Sequence, residues 1–139
     1  MNTKTIVAGL LAGVVSFVLG WLLYGMALVE PMQNMAGSAT GVMKSDSEMM
    51  GSMAFLIIGE LIYGIFLSYV LGHWAGVSTP MGGAKAGATL GLLVSAAYDF
   101  ISLGTSNLMT LSGALLDIVT MVVISAIAGA TAGWWLGRK

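Results

Sequence analysis

The sequence predicts an all-α integral membrane protein, a four-helix bundle with cytoplasmic N- and C-termini. Three observations predict it: composition, the length of the apolar runs, and the placement of the few charges. Apolar residues make up 58% of the chain and charged residues 8%, with a mean hydropathy of +0.95. Soluble domains carry roughly 25% charged residues. The apolar residues are gathered into four long runs, and a hydrocarbon core about 30 Å thick needs about 20 such residues as helix. Membrane-spanning strands would alternate polar and apolar residues and close into a barrel, a pattern these runs lack.

The first span covers about 5–29, and from Ile6 to Val29 it holds no charged residue. Lys4 before an apolar run, with Gly25-Met26-Ala27 after it, has the outline of a signal peptide. Signal cores span only about 7–15 residues, however, so the run is read as a spanning helix. The second span, about 51–73, contains Glu60; the third, about 83–104, contains Asp99; the fourth, about 111–136, contains Asp117. A loop at about 31–50 joins the first two, and the chain is a single domain.

Orientation follows from the basic residues, because short loops rich in Lys and Arg stay in the cytoplasm. Lys4, Lys85, Arg138 and Lys139 fall on one side, and Lys44 falls alone on the other with Glu30, Asp46 and Glu48. Both termini are therefore expected inside, and the 31–50 loop and the 104–110 turn outside. Trp21 and Tyr24 near one end of the first span, and Trp74, Trp134 and Trp135 at the inner ends of the second and fourth, suit interfacial aromatic belts. His73, beside Trp74, is read as an interfacial residue.

One offset places Ala8-Gly9 and Gly13 on Ala86-Gly87 and Gly91, and Gly72-His73-Trp74-Ala75-Gly76 echoes Gly133-Trp134-Trp135-Leu136-Gly137. These matches allow a parallel repeat of two helical hairpins related by an axis along the membrane normal. In a chain with 20 Gly such matches arise easily by chance, and chance is the preferred reading.

Helices in lipid are held by close packing, so small residues four apart mark contact ridges. Gly64, Ser68 and Gly72 form one ridge on the second span. Gly83, Gly87, Gly91 and Ser95 form another on the third, and Ser125, Gly129 and Gly133 a third on the last. The same step leads on to Glu60, to Asp99 and, past Met121, to Asp117. At 1.5 Å per residue the acids lie about 8–14 Å inside the outer ends of their helices, at heights where they can meet in one layer. No Lys or Arg is within the spans to pair with them, so the expected state of such a cluster is a shared proton or a bound cation. Tyr24, Tyr63, Tyr98, Ser102 and Thr120 lie at compatible heights as hydrogen-bond partners. The competing reading makes each acid neutral and bonded across a helix interface.

The outer loop carries Met32, Met35, Met43, Met49, Met50 and Met53. Thioethers select Cu(I), and Met32-x-x-Met35 and Met50-x-x-Met53 have ligand-like spacing. No His or Cys joins them, and a short amphipathic segment against the membrane or a partner is preferred. No metal or cofactor is expected. Scattered bases and a net charge of −1 exclude a nucleic-acid partner. With the only His at the face opposite the acids and no Cys, no Ser-His-Asp or Cys-based catalytic grouping can form. Tyr98-Asp99 matches half of the intramembrane aspartyl protease signature, but its Gly-x-Gly-Asp partner is absent. The leading expectation is an oligomerising or accessory subunit of a membrane assembly; the alternative is a small transporter or channel with a proton or cation site at Glu60, Asp99, Asp117, Tyr63 and Tyr98.

Gly20-Trp21-Leu22-Leu23-Tyr24-Gly25, the Met-rich loop, Gly83-Ala84-Lys85-Ala86-Gly87-Ala88-Thr89-Leu90-Gly91, Asp117 and the Gly-Trp ending run through nearly the whole chain. Together they resemble a bacterial family of small four-helix membrane proteins classified as a domain of unknown function. The resemblance implies the fold and a membrane location, and no activity or site.

Overall fold

A computed structural model describes residues 2–138, all of them helix, turn or loop apart from an isolated bridge between Ala36 and Met109. Helix α1 (Thr3–Leu22) runs on through a π-helical turn, Leu23–Ala27, into the short α2 (Val29–Asn34). After a loop come α3 (Asp46–Gly51) and α4 (Met53–Tyr69), which ends in a second π turn, Val70–Trp74. Helices α5 (Pro80–Thr105) and α6 (Leu111–Leu136) complete the chain. Four helices are long and apolar enough to cross a membrane: Thr3–Ala27, Met53–Trp74, Pro80–Thr105 and Leu111–Leu136. The first ends at Ala27 rather than at 29, because the π turn and α2 redirect the chain before Glu30. The third starts earlier than 83, because Thr79 caps it and Pro80 stands in its first turn.

The helix starts have local causes. The side chains of Asn2, Thr79 and Thr110 accept hydrogen bonds from the backbone of Thr5, Gly82 and Gly113, satisfying amides that a helix leaves open at its first turn. At the end of the second π turn the chain reverses at Gly76, whose φ of +59° is the left-handed conformation that glycine adopts at no steric cost.

Packing is strongest within each hairpin. Helix α5 lies along α6, α1 lies along α4, and α1 also packs on α6, whereas α4 and α5 have almost no mutual contact. The fully buried apolar residues Ala8, Ala12, Leu67, Leu71, Ala128 and Ala132 gather between α1, α4 and α6 toward the end that holds both termini. Four of these six are alanine, so backbones approach closely. That is how a helix pair gains dispersion contacts where the surroundings are as apolar as the side chains.

The expected ridges are the seams. Gly83, Gly87, Gly91 and Ser95 are buried, as are Ser125, Gly129 and Gly133 opposite them. A Cβ on Gly87 would collide with the Ser125 carbonyl, and one on Gly83 with that of Gly129. Gly64 and Ser68 are likewise buried, and Gly72 faces Leu136. Their partners are Gly9 and Gly13 of α1: a Cβ on Gly9 would sit 2.6 Å from Ile65 Cα, and one on Gly13 2.7 Å from the Glu60 carbonyl oxygen. Helix α1 thus carries a ridge of its own, which the sequence reading noted only as part of the repeat.

Candidate functional site

Toward the long-loop end the seams turn polar. The α5 ridge continues without a break to Asp99, which is 1% exposed and the largest fully buried polar side chain among the described residues. On α6 the ridge drifts, since each four-residue step turns a helix by about 40° beyond a full circle. Asp117 is accordingly half-buried rather than enclosed. The Asp99 and Asp117 side chains are close enough to interact electrostatically. The Tyr24 hydroxyl donates to Asp117 Oδ1 at 2.7 Å, which brings α1 to the pair. Asp99 Oδ2 is buried and has no hydrogen-bond partner.

Tyr24 belongs to the π-helical turn Leu23–Ala27, where the Leu28 amide donates to the Leu23 carbonyl at 2.7 Å. Single π turns of this kind recur at functional sites, where the wide turn changes the heading of the following side chains. Here the turn sits at the level of Asp117 and steers the chain out of α1 into α2.

The remaining candidates divide. Glu60 does not join the aspartates: its half-buried carboxylate reaches toward Gly20 of α1, with Oε1 3.9 Å from the place a Cβ there would take. The single layer of three acids is therefore replaced by a pair and an outlier, because the α4 ridge that leads to Glu60 packs on α1 rather than on the helices that carry the aspartates. Tyr63 exchanges a 2.7 Å hydrogen bond with Ser125 instead of an acid, and so links α4 to α6. Tyr98 is 66% exposed and faces away from the bundle. Consecutive helical residues point about 100° apart, so Asp99 inside puts Tyr98 outside. The Ser102 carbonyl accepts from Ser106, and Thr120 donates to the Leu116 carbonyl at 2.8 Å, a bond internal to α6. Of the five expected hydroxyl partners, Tyr24 is the one that bonds to a carboxylate.

Ser16 was not singled out from sequence, yet it is fully buried and its Oγ has no partner. The spacing Ala8, Ala12, Ser16, Gly20 was the available clue: a second small-residue row on α1, one residue from the Gly9–Gly13 row.

Beyond the pair, the two loops at this end are knitted together. The Gly37 amide donates to the Leu108 carbonyl, the Ala39 amide to that of Asn107, and Thr110 donates through both its amide and its hydroxyl to Met35. Met32 and Met35 are half-buried under this pairing, while Met43 and Met50 are exposed. Among the described residues no group of His, Cys, Asp or Glu has the arrangement of a metal site. Comparison of the chain with family models, with curated proteins and with solved structures finds no match.

Proposed function

We propose that the chain is a multi-pass protein of the cytoplasmic membrane, with both termini inside, and that it works as a small proton- or cation-coupled transporter or channel. Asp99 and Asp117 are its binding site, holding one proton or one small cation between them and exchanging it with the outer side. The observation that carries this is the enclosed Asp99 carboxyl with an unpartnered oxygen beside Asp117. Two neighbouring carboxylates in an apolar interior repel each other and lose hydration, so they cannot both be ionised without a cation. Intramembrane acids without a basic partner are candidates for such sites by default. The Tyr24 hydroxyl supplies one fixed donor to Asp117 and leaves the Asp99 side of the pair for the ligand.

The test is uptake into proteoliposomes, read with a pH-sensitive dye under a proton gradient and then with a monovalent cation gradient. Asp99→Asn and Asp117→Asn are expected to lower the protein-dependent flux at least tenfold, and Glu60→Gln to leave it within about twofold. Equal flux in all variants, or no flux above empty vesicles from the wild type, overturns the proposal.

A second reading, the oligomerising or accessory subunit, is favoured by a specific feature. Between α4 and α5 an open groove of about 580 Å³ is lined by Gly59, Ile62, Tyr63, Phe66 and Val94. A helix of a second copy or of another membrane protein seated there would supply the contacts that α4 and α5 do not make with each other. Mass measurement of the detergent-purified protein, corrected for bound detergent, distinguishes the two: a multimer supports this reading, and a monomer counts against it.

A further inference from the structure

The charges of the chain are unevenly distributed along the bundle. All six Asp and Glu residues lie on the long-loop side, with Lys44, or in the spans near it, while Lys4, Lys85 and Arg138 lie at the opposite end. At that opposite end two of the cations, far apart in sequence, are brought together. The Lys4 ammonium in the first turn of α1 donates to the Arg138 carbonyl just past α6. The Arg138 guanidinium lies over two indoles, 4.6 Å from the ring centre of Trp134 and 5.1 Å from that of Trp135. Such cation–π contacts hold a guanidinium in place while leaving its N–H edge available in the ring plane direction.

These groups border an open cleft of about 460 Å³, lined by Thr3, Lys4, Val7, Trp135 and Arg138. Its chemistry changes along its depth: two positive charges and the Thr3 hydroxyl at the rim, then indole and valine toward the apolar body of α1 and α6. It sits where two membrane-length helices end, the first turn of one beside the last turn of the other. A guanidinium presents a donor fork that matches two phosphate oxygens, and an ammonium adds a point charge. Basic pockets between helix ends at the cytoplasmic side are suited to anionic headgroups.

We propose that this cleft binds the phosphate of an anionic phospholipid, with Arg138 and Lys4 on the phosphate, Thr3 on its ester or glycerol oxygens, and Val7 and Trp135 against the start of an acyl chain. The inference rests on the bilayer insertion proposed above and is independent of the aspartate pair.

The experiment is native mass spectrometry of the protein released from nanodiscs of equimolar phosphatidylglycerol and phosphatidylcholine. Retained phosphatidylglycerol is expected to exceed phosphatidylcholine roughly tenfold, on the scale set by two basic contacts to an anionic surface. The Lys4→Gln/Arg138→Gln variant brings the ratio to that of the bulk lipid. Lys4→Arg/Arg138→Lys, which keeps both charges, retains the preference and shows that the site rather than the fold was altered. Lys85→Gln, at the same end but outside the cleft, leaves the ratio unchanged. Equal retention of the two lipids by the wild type, or a preference that survives in the double Gln variant, overturns the inference. So does displacement of the lipid by millimolar inorganic phosphate, which would make the cleft a site for a free anion. A protein that does not enter these nanodiscs overturns the bilayer reading and takes this inference with it; a protein that inserts and shows no preference overturns this inference alone.

Discussion

The two hairpins begin with the same seam and end differently. In the first, Gly9 faces Ile65 and Ser68, Gly13 faces the Glu60 carbonyl, and the Ser68 hydroxyl donates to the Thr5 carbonyl. In the second, Gly87 faces Ser125 and Gly129, Gly91 faces Ser125 and the Met121 carbonyl, and Gly129 faces the Gly83 carbonyl. Set side by side at the spacings noted in the sequence, Gly9 falls on Gly87, Gly13 on Gly91, Ser68 on Gly129 and Glu60 on Met121. Close backbone contact through glycine holds both hairpins, on helices whose other residues differ.

Toward the long-loop end the likeness stops. The second hairpin stays closed as far as Asp99 and Asp117, whereas the counterparts in the first are Trp21 and Leu56, both turned away from the bundle. The glycine contacts of both seams are made by backbone and by other side chains, and neither Asp99 nor Asp117 takes part in them. The carboxyls of the second hairpin are an addition to those contacts. That is the structural ground for reading them as a site.

The largest effect should come from the shared part of the seam. Gly87→Leu drives a side chain into the Ser125 backbone and should lower stability by about 3 kcal/mol or more, at the upper end of overpacking costs. Gly9→Leu, at the matching place on the first hairpin, drives a side chain into the Ile65 backbone and should do comparable harm. Gly59→Leu, where a Cβ would meet nothing within 4 Å, should be tolerated. Unfolding in mixed micelles measures all three, and unequal losses at Gly87 and Gly9 would break the equivalence of the seams.

A smaller effect should separate the tyrosines. Tyr24→Phe removes the donor to Asp117 and should cost about 1 kcal/mol, near the scale of interhelical hydrogen bonds in membrane proteins. Tyr63→Phe should cost a similar amount through Ser125, and Tyr98→Phe nothing measurable. A loss at Tyr98 would mean that this face of α5 is covered in the assembled protein, which would favour the subunit reading.

The smallest effect lies outside the bundle. The Ser45 amide and hydroxyl both donate to the Glu48 carboxylate, at 2.9 and 2.8 Å, and hold it below the usual carboxylate range. A depressed folded value stabilises α3 above the unfolded value, and the contribution is lost as pH falls through the folded one. The protection of amides over 45–52, taken relative to their intrinsic exchange rate at each pH, should therefore fall in acid, and Ser45→Ala should remove most of that pH dependence while the spans are unaffected.

Much of this was legible in the chain because lipid-length apolar runs admit few structures and because glycine and serine at four-residue spacing mark where backbones touch. The α5 row was readable as far as Asp99, since every step on it is small. Spacing puts Glu60 level with the aspartates, but spacing alone does not say which helix a row packs against. Height puts Tyr98 within reach of the acids, although adjacency to Asp99 on a helix argues that the two point apart. Contacts that depend on how the chain closes in space left no local trace: the Met35–Ala39 segment against Asn107–Thr110, and Lys4 against Arg138.

The most direct test is the stability of the Asp99→Asn/Asp117→Asn variant, measured by unfolding in mixed micelles beside Gly87→Leu. If the acids are an addition to a self-sufficient seam, the double variant should stay within about 1 kcal/mol of the wild type, or gain, because two carboxyls no longer compete in an apolar interior. A loss as large as that of Gly87→Leu would contradict the account and make the aspartates part of what holds the helices together.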